Sequence, residues 1–283
     1  MTRVPISAHS VRTINALRQV LERVECRLLA ISGGEPLLHP DLYLMLEALQ
    51  SYRIPTVLTT NGMLLSARRA TELMSRGISS FQVSLHSHLE ERHNWLSGGI
   101  DSWANAVSAI VSARSCGAQV VPVFVATKEN LNDFENVIEL CASLAVTQIV
   151  FNRVVPPVGY SRSGHQFIVP SDEEIRVVLR AADERARGRN IFIQLGVPVA
   201  RPVHSGPLWT NIRNASCPVG RGQSKWTIGV DLAVRRCNQG LESVGLLDEK
   251  GLTTILDEAR SNPHSCGSAS GRPCLRMRAV RLR

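Results

Sequence analysis

The chain is poor in aromatic residues: Phe, Trp and Tyr make up 5% of its 283 residues, and only three are tyrosines. They are not interleaved with basic residues, so no surface built on base stacking and phosphate contacts is expected, and nucleic acid is not an expected partner. No run of 18 apolar residues occurs, so no membrane span is expected. The amino-terminal segment lacks the charged-then-apolar layout of a secretory signal, and the expected location is cytoplasmic. Acidic residues (24) are outnumbered by Lys and Arg (32), giving a net charge of +8. The excess gathers in Arg272, Arg276, Arg278, Arg281 and Arg283, which reads as a solvated terminus or as a patch for an acidic peptide or nucleic acid. Seven cysteines is an odd count and, with a cytoplasmic location, argues against a disulfide framework. A zinc-stabilised α/β hydrolase has little support, because there is no nucleophile elbow, no His-Glu-x-x-His and no Gly-x4-Gly-Lys-Ser/Thr turn.

What the chain does contain is a regular alternation of two patterns. Apolar, β-rich runs lie at 27–32, 55–60, 80–86, 119–127, 147–154 and 190–195, and helical patterns at 11–24, 40–52, 66–76, 101–116, 131–145 and 171–187. Ser171-Asp-Glu-Glu174 opens the last helix with acidic residues at its amino end, and Gly77 and Gly117 close two others. Such βα alternation predicts an α/β fold with a parallel sheet and helices outside it. Six strands preceded by a helix predict a partial (β/α)6 TIM-type barrel missing its first strand, or an open partial barrel, with 27–32 at its edge. A seven-helix solenoid competes, but the β-branched runs count against it. The length and the 44% apolar content suit one large domain plus a small one. The rhythm stops near Arg201, which divides the chain into 1–200 and 201–283.

Gly33-Gly34-Glu35-Pro36 follows the first strand run and precedes a helix. A double glycine at the carboxyl end of a parallel strand lets a ligand approach bare backbone, and Glu35 adds a negative acceptor for an amine. The alternative is a tight turn with an exposed Glu. In Phe81-Gln-Val-Ser-Leu-His86, alternation places Phe81, Val83 and Leu85 on one face and Gln82, Ser84 and His86 on the other. A face covered by helices is apolar, so the polar set is expected in the lumen, unless this is an edge strand with its polar face in water. Thr59, Thr60 and Asn61 form a second polar cluster at a strand end. Arg153, at the end of another, is either a bidentate partner for a carboxylate or a surface residue.

Ile31-Ser-Gly-Gly-Glu-Pro-Leu-Leu-His-Pro-Asp41, Thr59-Thr-Asn-Gly62, Val83-Ser-Leu-His86, Val125-Ala-Thr-Lys-Glu-Asn130 and Asn152-Arg-Val-Val-Pro-Pro-Val-Gly159 together resemble the radical S-adenosylmethionine (SAM) superfamily, in its order and spacing, over roughly residues 10 to 200. The resemblance implies SAM as cofactor, with Gly33, Gly34, Glu35 and Pro36 at its methionyl amine. Thr60, Asn61, Ser84 and His86 are implied at its ribose or amino-acid group, and Arg153 at its carboxylate. It also implies a [4Fe–4S] cluster, an electron donor such as flavodoxin or ferredoxin, and hydrogen abstraction by a 5′-deoxyadenosyl radical from a substrate in the lumen. Two departures stand out. Relatives hold the cluster on a Cys-x3-Cys-x2-Cys loop ahead of the double glycine, whereas the 32 residues before Gly33 contain only Cys26. Many relatives also place Arg-Gly after the fourth strand, where Ser97 and Gly98 stand here. The expectation is a sequence lacking its first strand and cluster loop and unable by itself to cleave SAM. A misplaced start would explain this; the alternative is a degenerate, catalytically inactive binding or partner protein.

Cys26, Cys116 and Cys141 fall in or beside helical segments and read as small apolar groups. Cys217, Cys237, Cys266 and Cys274 lie in the loop-rich last stretch, which suits a tetrahedral metal or an iron–sulfur cluster. Their pattern resembles the SPASM/twitch extension of some radical SAM enzymes, which opens with Cys-x(9–15)-Gly-x4-Cys. Cys217 and Cys237 fit that spacing, but Leu232 stands in place of the glycine, and the later cysteine run is reduced to Cys266 and Cys274. One auxiliary [4Fe–4S] cluster on these four thiols, zinc, and four unmetallated cysteines remain open. The resemblance favours a peptide or protein substrate, or a cofactor precursor.

Overall fold

The computed structural model describes residues 8–23, 25–154, 168–196, 209–214, 226–235, 243–247, 254–255 and 257. Cys217, Cys237, Cys266, Cys274 and the arginines from 272 onward lie outside the described residues.

All six expected strand runs form, in sequence order, in one parallel sheet: β1 (Leu29–Ile31), β2 (Thr56–Thr60), β3 (Ile78–Ser84), β4 (Gln119–Ala126), β5 (Gln148–Arg153) and β6 (Phe192–Leu195). A seventh strand, β7 (Ile212–Asn214), adds in parallel beside β6, so the large sheet takes in residues beyond 200. Consecutive strands are neighbours and β1 and β7 are its two edges. The result is an α/β partial barrel, open along one side. Its helices are α1 (Ala8–Arg23), α2 (Leu42–Leu49), α3 (Ala67–Ser75), α4 (Glu90–Ser97), α5 (Ser102–Ser115), α6 (Phe134–Ser143) and α7 (Asp172–Gly188). A small antiparallel sheet of β8 (Thr227–Ile228), β9 (Ala233–Arg235) and β10 (Gly245–Leu246) follows.

Helix boundaries follow local chemistry. Ser66 caps α3 by accepting the Arg69 N–H, and Ser171 and Glu174 form a reciprocal capping box at the start of α7. Asp183, buried on α7, accepts from Thr210 N, Thr210 Oγ1 and Asn211 N at 2.7–3.1 Å. One helix side chain thereby fixes the entry into β7, which carries too little pattern of its own to nucleate a strand.

The sheet has two unlike faces. Leu58, Phe81, Val83, Phe124, Phe151 and Ile193 share the main core with residues of the surrounding helices. Phe124, Phe134 and Phe151 meet there with ring centroids 4.7–5.6 Å apart. On the other face Val121, Val123 and Val150 form a separate apolar patch. A second core lies at the β1 edge, where Leu29 packs with Leu17 of α1, Met45 of α2, and Ile228, Leu232 and Val234 of the small sheet. The edge strand is therefore short and its outward side chain is covered, a device that blunts edge-to-edge association.

Candidate cofactor and substrate site

At the carboxyl end of β1 the double-glycine turn leaves the core. Ser32 is buried, whereas Gly33 and Gly34 are exposed, and a Cβ added at Gly34 would meet nothing within 4 Å. Bare backbone thus faces open space. Glu35 turns the other way. It caps the short 3-10 turn Pro36–Leu38, Oε1 accepting from Leu37 N at 3.1 Å and from Thr60 Oγ1 at 2.8 Å, while Oε2 accepts from Asn61 N at 2.8 Å. With three donors on about four acceptor positions, the carboxylate has little capacity left for a ligand amine. Its work is to tie the β1 turn to the β2 turn, which leaves the peptide carbonyls beside Gly33 and Gly34 as the free acceptors.

The β2 turn is equally determined. Thr60 Oγ1 accepts the Gly62 N–H at 3.1 Å, and Asn61 Oδ1 accepts the Met63 N–H at 2.9 Å. Gly62 has φ +89°, and a Cβ there would lie 3.0 Å from Ala106 Cα and Ala109 Cβ of α5. Only glycine allows both this backbone and this approach.

Strand register assigns the inner face. Thr59 pairs with Gln82, and Gln82 with Val121; Ser84 pairs with Val123, Val123 with Val150, and Val150 with Gln194; Val125 pairs with Asn152. These residues share the face of the inner valine patch, so the polar set Gln82 and Ser84 lies in the lumen. Thr59 Oγ1 donates to Gln82 Oε1 at 3.2 Å. Ser84 Oγ has no hydrogen bond among the described residues. Asn152 Oδ1 is buried without a partner beside Gly196, where a Cβ would come within 2.1 Å of it.

His86 sits just beyond β3. Its Nδ1 accepts from Val125 N at 3.4 Å, its backbone N–H donates to His93 Nδ1 at 3.0 Å, and the two rings stack with centroids 5.6 Å apart. Burial lowers the His86 pKa to about 4, with the neighbouring His93 adding to the effect, and burial lowers that of His93 to about 4. His86 is therefore neutral, with Nδ1 an acceptor and Nε2–H free to donate. Asn130 locks the surrounding loops, donating to His86 O at 2.7 Å and Val125 O at 3.0 Å while accepting from Thr127 N at 2.7 Å. Ser87 donates to Asp133 at 2.5 Å, and Arg92 pairs with the same carboxylate. His93, Asn130 and Asp133 are positioning residues that the sequence reading did not single out. The one local signal is Thr127-x-x-Asn130, a side-chain-to-backbone turn just ahead of a helix.

Arg153 stands apart from the other candidates. It pairs in register with Ala126, a residue of the helix-side core, and forms an ion pair with Asp172 at the start of α7. Its row is the outer one. Ser97 ends α4 and is exposed, followed by Gly98 in the left-handed conformation.

Tested against the groups that the resemblance implies, the two halves of the site differ. An aminoacyl nucleoside brings an amine, a carboxylate and ribose hydroxyls, and the bare carbonyls, Ser84 Oγ and His86 Nε2–H suit them. A cavity of about 80 Å³ lies between the double-glycine turn, Thr13, His39, Met45 and the β8–β9 turn at Gly229 and Val230. The described residues do not fit a [4Fe–4S] cluster: no group of three or more Cys, His, Asp or Glu among them could hold a metal. Their thiols are Cys26, Cys116 and Cys141, and burial pushes Cys26 and Cys141 upward in pKa, away from the thiolate form.

Residues 4–141 match the family model of the Radical SAM superfamily. The chain is 28% identical over 189 residues to a probable GTP 3′,8-cyclase of Sulfurisphaera tokodaii, covering 62% of this chain and 59% of that protein; it therefore spans less than two thirds of that relative's length. Among solved structures it is similar to Streptococcus suis SuiB bound to precursor peptide SuiA, with a TM-score of 0.65 at 15% identity over 89% of this chain and 58% of that one. It is also similar to anSMEcpe with bound AdoMet and the Kp18Cys peptide, with a TM-score of 0.66 at 14% identity over 88% and 73%.

Proposed function

The chain is a member of the radical SAM superfamily, and from that premise we propose that its double-glycine turn and inner sheet face bind SAM for hydrogen-abstraction chemistry on a peptide or a cofactor precursor. The observation that carries this reading is the turn itself: open backbone at Gly33 and Gly34, held rigid by Glu35 against Thr60 and Asn61, beside an inner face with an unpartnered Ser84 and a neutral His86. In this reading the carbonyls at Gly33 and Gly34 take the ligand amine, with Pro36 shaping the turn. Ser84 Oγ and His86 Nε2–H take ribose or carboxylate oxygens, and Thr60 and Asn61 position the turn. Arg153, on the outer row and paired with Asp172, is assigned to orienting α7 rather than to the methionyl carboxylate. A reduced [4Fe–4S] cluster, which the described residues do not hold, would supply the electron for reductive cleavage of SAM. The lumen's part is to hold the substrate and exclude water.

The peptide arm of the reading is supported by the peptides bound to the two structural neighbours. Exposed apolar residues in the segments that follow β1, β2 and β3 also favour it, among them Leu38, Met63, Trp95 and Ile100. The nucleotide arm rests on the GTP cyclase relative. Cys217, Cys237, Cys266 and Cys274 enter the proposal as ligands of one auxiliary [4Fe–4S] cluster in a SPASM/twitch-like segment, with a cytoplasmic flavodoxin or ferredoxin as electron donor. A second reading, an inactive SAM-binding partner protein, is favoured by Ser97 standing where many relatives place Arg.

Equilibrium dialysis of SAM against the whole chain tests the proposal. Saturable binding is expected, weakened about tenfold in Ser84→Ala, equivalent to one lost hydrogen bond of ~1.4 kcal/mol. Absence of saturable binding sinks both readings. Under anaerobic reducing conditions this chain alone is expected to leave SAM intact; cleavage to 5′-deoxyadenosine would refute the expectation that it lacks a cluster site. Iron, sulfide and zinc analysis of anaerobically purified protein decides the auxiliary site.

A further inference from the structure

Polar side chains from two other elements hold β7 in place. Asp183 of α7 accepts from the backbone of Thr210 and Asn211 just ahead of it, and Gln194 of β6 donates through Nε2 to Arg213 O at 3.3 Å. The residue placed by these bonds is Arg213. It pairs with Gln194, on the row that runs through Ser84, Val123 and Val150, while its neighbour Ile212 turns into the main core. The Arg213 side chain therefore lies on the inner face, exposed at the free edge of the sheet. Arg153 is the other charged residue in the seven strands, and it has an acid partner in Asp172. Arg235 of the small sheet likewise has Asp231. Among the described residues the Arg213 guanidinium has no ion pair and no hydrogen bond.

From this placement we infer that Arg213 is a specificity-determining residue that anchors one carboxylate of the substrate, at the end remote from SAM. The inference rests on the proposed function and applies to a peptide and to a cofactor precursor alike. In that function SAM occupies the turns after β1 and β2 and the end of β3. Four strand intervals of about 4.8 Å each separate Ser84 from Arg213 along the sheet, so the cation belongs to the substrate's half of the lumen. Between them lie Val123 and Val150, which suit an apolar stretch of substrate. A guanidinium offers N–H donors in a fixed fork that matches one carboxylate. A single anion also suits the charge: the described strands bring no second cation to this face, and His86 stays neutral by burial beside His93. A group with several negative charges would go largely unmatched. Because Arg213 remains in contact with water, its effect is selection among substrates rather than tight binding.

The inner valines provide the readout. The whole chain, labelled with ¹³C at valine methyls, is titrated with hexanoate and, separately, with its neutral isostere hexanamide. Hexanoate is expected to shift the Val123 and Val150 methyls with an apparent Kd about two- to fivefold below that of hexanamide, the range for one ion pair in contact with water. Added salt is expected to shrink that preference. Arg213→Gln is expected to abolish it, and Arg213→Lys to keep part of it, as a point charge without the fork. The inference is overturned if the two probes titrate alike, if neither moves the methyls, or if Arg213→Gln keeps the preference. SAM dialysis holds the two questions apart. Arg213→Gln is expected to bind SAM as the unsubstituted chain does; a loss would assign the cation to SAM's own carboxylate and overturn the inference. Absence of SAM binding in the unsubstituted chain, with the hexanoate preference intact, defeats the proposed function and leaves Arg213 a carboxylate site.

Discussion

At the scale of single residues, the site is organised by side chains that bind other parts of the protein rather than a ligand. Glu35 joins two turns through three hydrogen bonds. Glu35→Ala is expected to lower stability by about 2–3 kcal/mol in urea denaturation, since each hydrogen bond to a charged group is worth about 1.5–3 kcal/mol and the three are not additive. A change within about 0.5 kcal/mol would show that the turns hold without it. His86 and His93 give the molecule an acid limb. Both have folded-state pKa values lowered from 6.5 to about 4, so the unfolded chain binds protons more readily than the native one. Their contribution is present in full above pH ~6.5 and is lost as pH falls through about 4. His93→Asn keeps an acceptor for the His86 N–H but removes one titrating ring, and is expected to flatten the fall in thermal midpoint between those pH values. An unchanged acid limb would place its origin elsewhere.

At the scale of elements, distant side chains decide what local pattern leaves open. Asp183→Ala removes the acceptor for Thr210 and Asn211, so β7 is expected to open independently. Hydrogen exchange at Ile193 N, bonded to Asn211 O, is expected to accelerate by about ten- to a hundredfold, matching ~1.4–3 kcal/mol. Exchange at Phe192 N, bonded to Thr147 O, is expected to stay slow; equal acceleration at both would mean that β6 and β7 open as one. The same contrast explains which elements were legible in the sequence. The first six strands announce themselves as apolar, β-rich runs, and Gln82 and Ser84 could be assigned to the lumen from Phe81 to His86 alone. β7 could not, because Ile212-Arg-Asn214 has no pattern and depends on a carboxylate 27–28 residues earlier. Helix α4 was hidden because its apolar residues are only Trp95, which is exposed, and Leu96, which leaves it no apolar stripe. At the site, the open double glycine was readable, but the direction of the Glu35 carboxylate was not, since Thr60 decides it from 25 positions away. Arg153 was within reach of the same two-residue alternation, one step out of phase with Asn152.

For the whole molecule the question is whether the two cores behave as one. They share elements residue by residue: on α2, Leu42 and Leu46 enter the main core while Met45 and Leu49 enter the second, and on β1, Ile31 faces one and Leu29 the other. The small sheet reaches the barrel through that second core, with Ile228, Leu232 and Val234 against α1 and β1. Loosening one core must therefore strain helices that line both, because close-packed interiors transmit displacement. A single cooperative transition follows. In a chain whose only tryptophan is Trp226, the other three replaced by Phe, the Trp226 fluorescence on the small sheet and the far-ultraviolet circular dichroism, dominated by the barrel helices, are expected to change at one urea midpoint. Leu17→Ala, a fully buried truncation in the second core, is expected to cost about 2–5 kcal/mol and to lower both midpoints together. If the fluorescence midpoint alone moved, the small sheet would be a separate folding unit, and shared residues on α2 and β1 would not couple it to the barrel.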